Sequence, residues 1–146
     1  MVQNCPSILN NSTPTLYPFM HINSQEFPRV WISNTPPSNW QPAIEGLVHQ
    51  GRPFVLLTRD VPGTGPEEST DQKAFAQWIK DNRSNLSKCC AASLIVVNNP
   101  ILAFSLGFVV GAISKKLGFP VHVVQESDID EKVAECLANH SQIENL

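Results

Sequence analysis

The sequence predicts an α/β fold: a mainly parallel or mixed β-sheet of about five strands with about four helices packed on it. Three observations carry this. Short apolar runs recur at residues 54–58, 93–97 and 121–124, the pattern of strands covered on both faces. Segments with apolar residues at helical spacing lie between them, so strands and helices alternate. The length of 146 residues fits one domain of the usual size, about 100–200 residues.

Taken in order, residues 1–18 hold no charged side chain, and seven of the 12 prolines lie in the first 42 residues. One long helix is excluded there, and a loose N-terminal tail is expected. Residues 19–23 and 29–34 read as the first two strands, the second carrying Val30, Trp31 and Ile32. No two-residue hairpin signal separates them, so a Gln25-Glu26-Phe27-Pro28 loop is expected to join them as antiparallel neighbours. Pro36-Pro37 stops the second strand. Ser38 is the expected N-cap of a helix whose Trp40, Ile44, Leu47 and Val48 share a face and which Gly51 closes.

Residues 54–58 form the next strand, followed by a turn-forming loop from Asp60 to Pro66. Ser69, with Gln72 three residues on, is the expected N-cap of a helix that aligns Phe75, Trp78, Ile79 and Leu86. A strand over 93–97, an apolar helix over 101–117 and a strand over 121–124 follow. Ile129, Val133, Cys136 and Leu137 mark a last amphipathic helix. The expected domain spans 19–140, with 141–146 as a tail, and right-handed crossovers join its parallel strands.

Charge and composition exclude several classes of function. The net charge is −3, from 10 Lys+Arg against 13 Asp+Glu, and there is no basic run, so neither nucleic acid nor an anionic membrane is an expected partner. The apolar fraction of 42% supports a packed core. Residues 1–16 lack the basic and apolar regions of a secretory signal, which predicts a cytoplasmic protein and reduced, buried cysteines. Residues 91–114 carry no charge, yet the apolar stretch 101–113 covers only about 20 Å of a bilayer core of roughly 30 Å. A buried helix is expected rather than a membrane span. An incompletely covered one would present a partner-binding patch.

The ordered string Arg52-Pro-Phe-Val-Leu-Leu-Thr58, Ala74-Phe-Ala-Gln-Trp78 with Asn82-Arg-Ser-Asn-Leu86, Ser93-Leu-Ile-Val-Val97 and Phe119-Pro-Val-His-Val123, closed by an acidic helix, resembles one group. It is similar to the STAS-like superfamily, which includes anti-sigma-factor antagonists, cytoplasmic domains of sulfate transporters and small stand-alone bacterial proteins. The resemblance covers about residues 19–140 and rests on element order and hydrophobic spacing. It implies a non-catalytic module that docks onto a partner protein, in some branches under control of a phosphorylated Ser or Thr at the start of the helix after the central strand. Ser69 and Thr70 occupy that zone, although a longer Pro/Gly loop precedes them here. Capping alone also explains a hydroxyl residue at Ser69.

The remaining chemistry is sparse. The four histidines, His21, His49, His122 and His140, are dispersed and call for no metal, and no cofactor is expected. Cys89 or Cys90 could meet His122 across neighbouring strands, but no nucleophile elbow accompanies them. Gly63-Thr64-Gly65 lacks the further residues of a phosphate loop and reads as a recognition loop. Trp31, Trp40 and Trp78 read as packing residues. The leading expectation is therefore a regulatory or immunity-type binding module for a protein partner or a second copy of the chain. Its expected contact residues are Asp60, Thr64, Ser69, Thr70, Phe104 and Phe108. Two other classes stand beside it: a binder of lipid or a small apolar ligand, and a small hydrolase-like enzyme with a polar pocket lined by Thr58, Asp60 and His122.

Overall fold

The computed structural model describes residues 19–59 and 70–144, so Asp60, Thr64 and Ser69 lie outside the described residues. Within them, five strands form one mixed sheet: β1 (His21–Glu26), β2 (Arg29–Ser33), β3 (Phe54–Thr58), β4 (Cys90–Val97) and β5 (Val121–Gln125). Spatial order follows chain order. β1 pairs antiparallel with β2, and every later pair is parallel. Six α-helices accompany them, against the four expected: α1 (Trp40–Gln50), α2 (Thr70–Asp81), α3 (Arg83–Cys89), α4 (Pro100–Gly107), α5 (Val110–Leu117) and α6 (Ile129–Glu144).

The extra helices come from two breaks. The second expected helix parts at Asn82, whose side-chain amide donates to the carbonyl of Trp78 at 2.9 Å and so competes with the helical ladder. The apolar helix parts at Phe108-Val109, between Gly107 and Gly111, where helix propensity is low. Other boundaries shift as well. β1 begins two residues later than expected and runs to Glu26, which pairs with Arg29 and leaves only Phe27-Pro28, with a cis peptide bond between them, as the connection. β4 begins at Cys90 rather than Ser93, because the small apolar residues Ala91 and Ala92 continue the strand past a register irregularity opposite Phe54 and Val55. α6 runs to Glu144, past the expected domain end.

Strand alternation divides the core between two faces. On one, Val30, Phe54 and Leu56 meet Ile44 and Leu47 of α1, Phe75 and Ile79 of α2 and Leu86 of α3. Ile95, Val97 and Val121 continue that face beneath α4 and α5. Sequential parallel strands with every connecting helix on the same side require crossovers of one hand. The opposite face carries Val55, Leu57, Leu94, Val96 and Val124 and is covered by α6 through Ile129, Val133 and Cys136.

Asn39, rather than Ser38, stands at the start of α1, and it makes no capping bond. Its carboxamide instead pairs with the backbone of Ile22, accepting from the amide at 2.7 Å and donating to the carbonyl at 2.9 Å, which fastens α1 to β1. Ser38 donates to Asp71 of α2 at 2.6 Å.

Candidate functional site

Among the described residues, four of the five large hydrophobic side chains that stand exposed, Ile101, Phe104, Phe108 and Val109, lie in the α4–α5 elbow. Asn99 starts it: its side-chain oxygen accepts from the amides of Ile101 at 2.8 Å and Leu102 at 3.3 Å, with Pro100 at the first helical turn. Gly118, at φ 85°, ends it in the left-handed region. The Ser114 hydroxyl accepts from the amide of Val121 at 2.8 Å and ties α5 to β5. Leu102, Leu106, Val110 and Ile113 rest on Ile95, Val97 and Val121. The outer side is apolar too.

Neither α4 nor α5 has a fully buried residue, which corrects the expectation of a buried helix. The elbow lies over the β5 edge, so the sheet covers one flank and leaves the other to solvent. Ile101 is 77% exposed, Phe104 71% and Phe108 76%. The two phenylalanine rings meet edge to face, 5.1 Å apart at 85°, and form one outward aromatic unit. No single helix among the described residues is long and apolar enough to cross a membrane; α4 and α5 reach that length only together, across a 55° bend.

Thr70 is the first residue of α2 and is exposed. Asp71 already occupies that helix turn, so a phosphate on Thr70 would meet a like charge beside the favourable helix dipole. β3 and β4 run parallel and pair up to Thr58 and Ile95, so Arg59 and the start of α4 lie at the same carboxyl end of the sheet.

The expected polar pocket of Thr58, Asp60 and His122 does not assemble among the described residues. Thr58 shares the side of β3 that carries Phe54 and Leu56, whereas His122 shares the side of β5 that carries Val124, so the two project from opposite faces. His122 instead lines a cleft of about 490 Å³ between α6 and the start of β5, together with Cys90, Phe119, Cys136 and His140. Burial, reinforced by the nearby Lys132 charge, lowers the His122 pKa, while Glu135 opposes the shift. Burial raises the thiols of Cys90 and Cys136, which keeps both protonated. His140 Nε2 lies 3.3 Å from the carbonyl oxygen of Ser87.

The sequence raises a meeting of Cys90 with His122 across neighbouring strands, and both line this cleft, but sequence reasoning missed the part played by α6. The available signal was the spacing of Cys136 and His140, one helical turn apart on α6 and so on one face. His122 joins them only through the fold. No group of three metal-ligating side chains forms among the described residues.

A second, shallower basin of about 410 Å³ surrounds Trp31 on the α6 side of the sheet. Its charges are paired: Arg59 stacks 4.2 Å from the Trp31 ring centre and bonds Glu126 at 2.6 and 3.0 Å, Arg29 bonds Asp130, and Glu26 accepts from the Trp31 indole at 3.1 Å. These bonds fasten the start of α6 to the sheet and give each charged side chain among the described residues of the basin a partner. Trp31 therefore serves as a stacking platform for Arg59, whereas Trp40 is buried in the core against Phe75. The chain matches no family model, no curated protein and no solved structure, so the reading of function rests on these geometries.

Proposed function

We propose that the chain is a non-catalytic interaction module of STAS-like type that docks a protein partner through the α4–α5 elbow, with Thr70 at the border of the contact. The observation that carries this reading is the outward Phe104–Phe108 pair on an elbow without charge from Pro100 to Ser114. A helix that is apolar on all sides is ordinarily covered, and here the sheet covers one side only. Burying a phenylalanine side chain contributes about 1.5–3 kcal/mol, so two of them can anchor a contact. A partner with an uncharged apolar surface fits the patch.

The non-catalytic part of the reading is supported by the state of the candidate nucleophiles. Cys89 and Cys90 are buried, and the Cys90 thiol is held protonated. The element order and hydrophobic spacing that resemble the STAS-like group point the same way.

The test is affinity capture with the wild-type chain and the Phe104→Asp/Phe108→Asp variant, both checked for folding by urea denaturation. The reading expects a specific partner with the wild type and at least a tenfold loss of it with a variant that still unfolds cooperatively. Equal capture by both chains overturns it.

A further inference from the structure

We propose that the cleft between α6 and the start of β5 is a binding site for a small, uncharged, largely apolar molecule that presents a hydrogen-bonding group to His122. This inference is independent of docking through the Phe104–Phe108 pair, because neither ring lines the cleft. Its volume of about 490 Å³ falls within the range of about 300–1,000 Å³ common for small-molecule sites.

The lining selects the class of ligand. Ala91, Phe119 and Cys136 are buried and give the site an apolar floor. Water on such a floor finds few hydrogen-bond partners, so an apolar occupant gains by displacing it. His122 is only partly buried, and its imidazole offers the floor a polar contact. Burial favours the neutral imidazole of His122 and the protonated thiol of Cys136, and the other imidazole of the lining, His140, is already engaged through Nε2 with the Ser87 carbonyl, so the floor offers an ion no ready counter-charge. The charged groups of the lining, Lys88 and Glu135, are exposed at the mouth and opposite in sign. An ionic ligand would lose hydration without gaining a buried counter-charge. The Trp31 basin differs: its walls are charged, and those charges already have partners.

The experiment is a two-dimensional amide NMR titration of the full chain with indole, an uncharged aromatic with one N–H donor, and with 1-octanol, an uncharged aliphatic with one hydroxyl. The expected result is a saturable response to at least one probe, centred on Ala91, His122 and Cys136. Cys136→Phe, which fills the floor, and Asn139→Trp, which covers the mouth from an exposed position, are each expected to weaken that response at least tenfold. Asn139→Trp decides the matter if Cys136→Phe fails to fold. Phe104→Asp/Phe108→Asp is expected to leave the response unchanged, which separates failure of the cleft from failure of the elbow. A lack of saturable shifts with both probes, shifts confined to α4 and α5, or unchanged binding by a folded cleft variant overturns the proposal.

Discussion

His122 illustrates how one residue acquires its chemistry from placement. Its apolar neighbours Val121 and Val123 reveal a strand, but only the fold sets it against α6, beside Lys132 and Glu135. Its folded pKa lies below the ordinary 6.5, so between those two values the unfolded chain takes up a proton that the folded chain resists. The contribution of this group to stability is complete above pH 6.5 and declines as the pH falls toward the lowered value. Urea midpoints measured from about pH 7 down to about pH 5.5 are expected to fall more steeply for the wild type than for His122→Gln. Equal slopes contradict the assignment. Asn39 makes a related point: the sequence suggests Ser38 as the cap, whereas Asn39 stands at that position and makes no capping bond, because Asp71 engages Ser38 and the backbone of Ile22 engages Asn39. Local propensity names the residue types and cannot rank tertiary partners.

Among elements, the two helical breaks divide what periodicity reveals from what it hides. Phe75, Ile79 and Leu86 all reach the core, as their shared helical face requires, although the chain changes direction at Asn82 between them. Ile101, Phe104 and Phe108 are as apolar as any core residue and face outward, because hydrophobicity alone does not state which side the sheet will occupy. This contrast gives opposite mutational outcomes. Leu86→Ala removes a wholly buried side chain and is expected to cost about 2–5 kcal/mol of unfolding free energy. Phe108→Asp is expected to change stability by no more than about 0.5 kcal/mol, as exposed substitutions usually do. Chemical denaturation of the two variants checks both values, and a large loss in Phe108→Asp would make that ring a structural residue.

For the whole molecule, the alternation of strands and helices was legible because continuous apolar runs such as Phe54-Val55-Leu56-Leu57 require cover on both faces. The position of α6 was not. Periodicity marks its buried stripe through Ile129, Val133 and Cys136 but not its partner strands, so the cleft beside it stayed hidden. The expected contact residues met different outcomes: Phe104, Phe108 and Thr70 are exposed, while Asp60, Thr64 and Ser69 lie outside the described residues. The distribution of cover also implies a gradient of local stability. Amides of β3 and β4, in the middle of the sheet and packed on both faces, are expected to exchange hydrogen most slowly, and those of α4 and α5 much faster. Hydrogen-exchange mass spectrometry of the isolated chain reads this gradient directly, and strong protection of α4 and α5 would contradict it.

The central claim is that the elbow is a contact face. Its most direct measurement places a photo-crosslinking phenylalanine analogue at position 104 inside cells, with the same analogue at exposed Lys80 as a control. The expected result is one defined adduct from position 104 that is missing from the control and lost when Phe108→Asp is added; its mass tells a foreign protein from a second copy. An adduct pattern at 104 no different from that at 80 would contradict the claim.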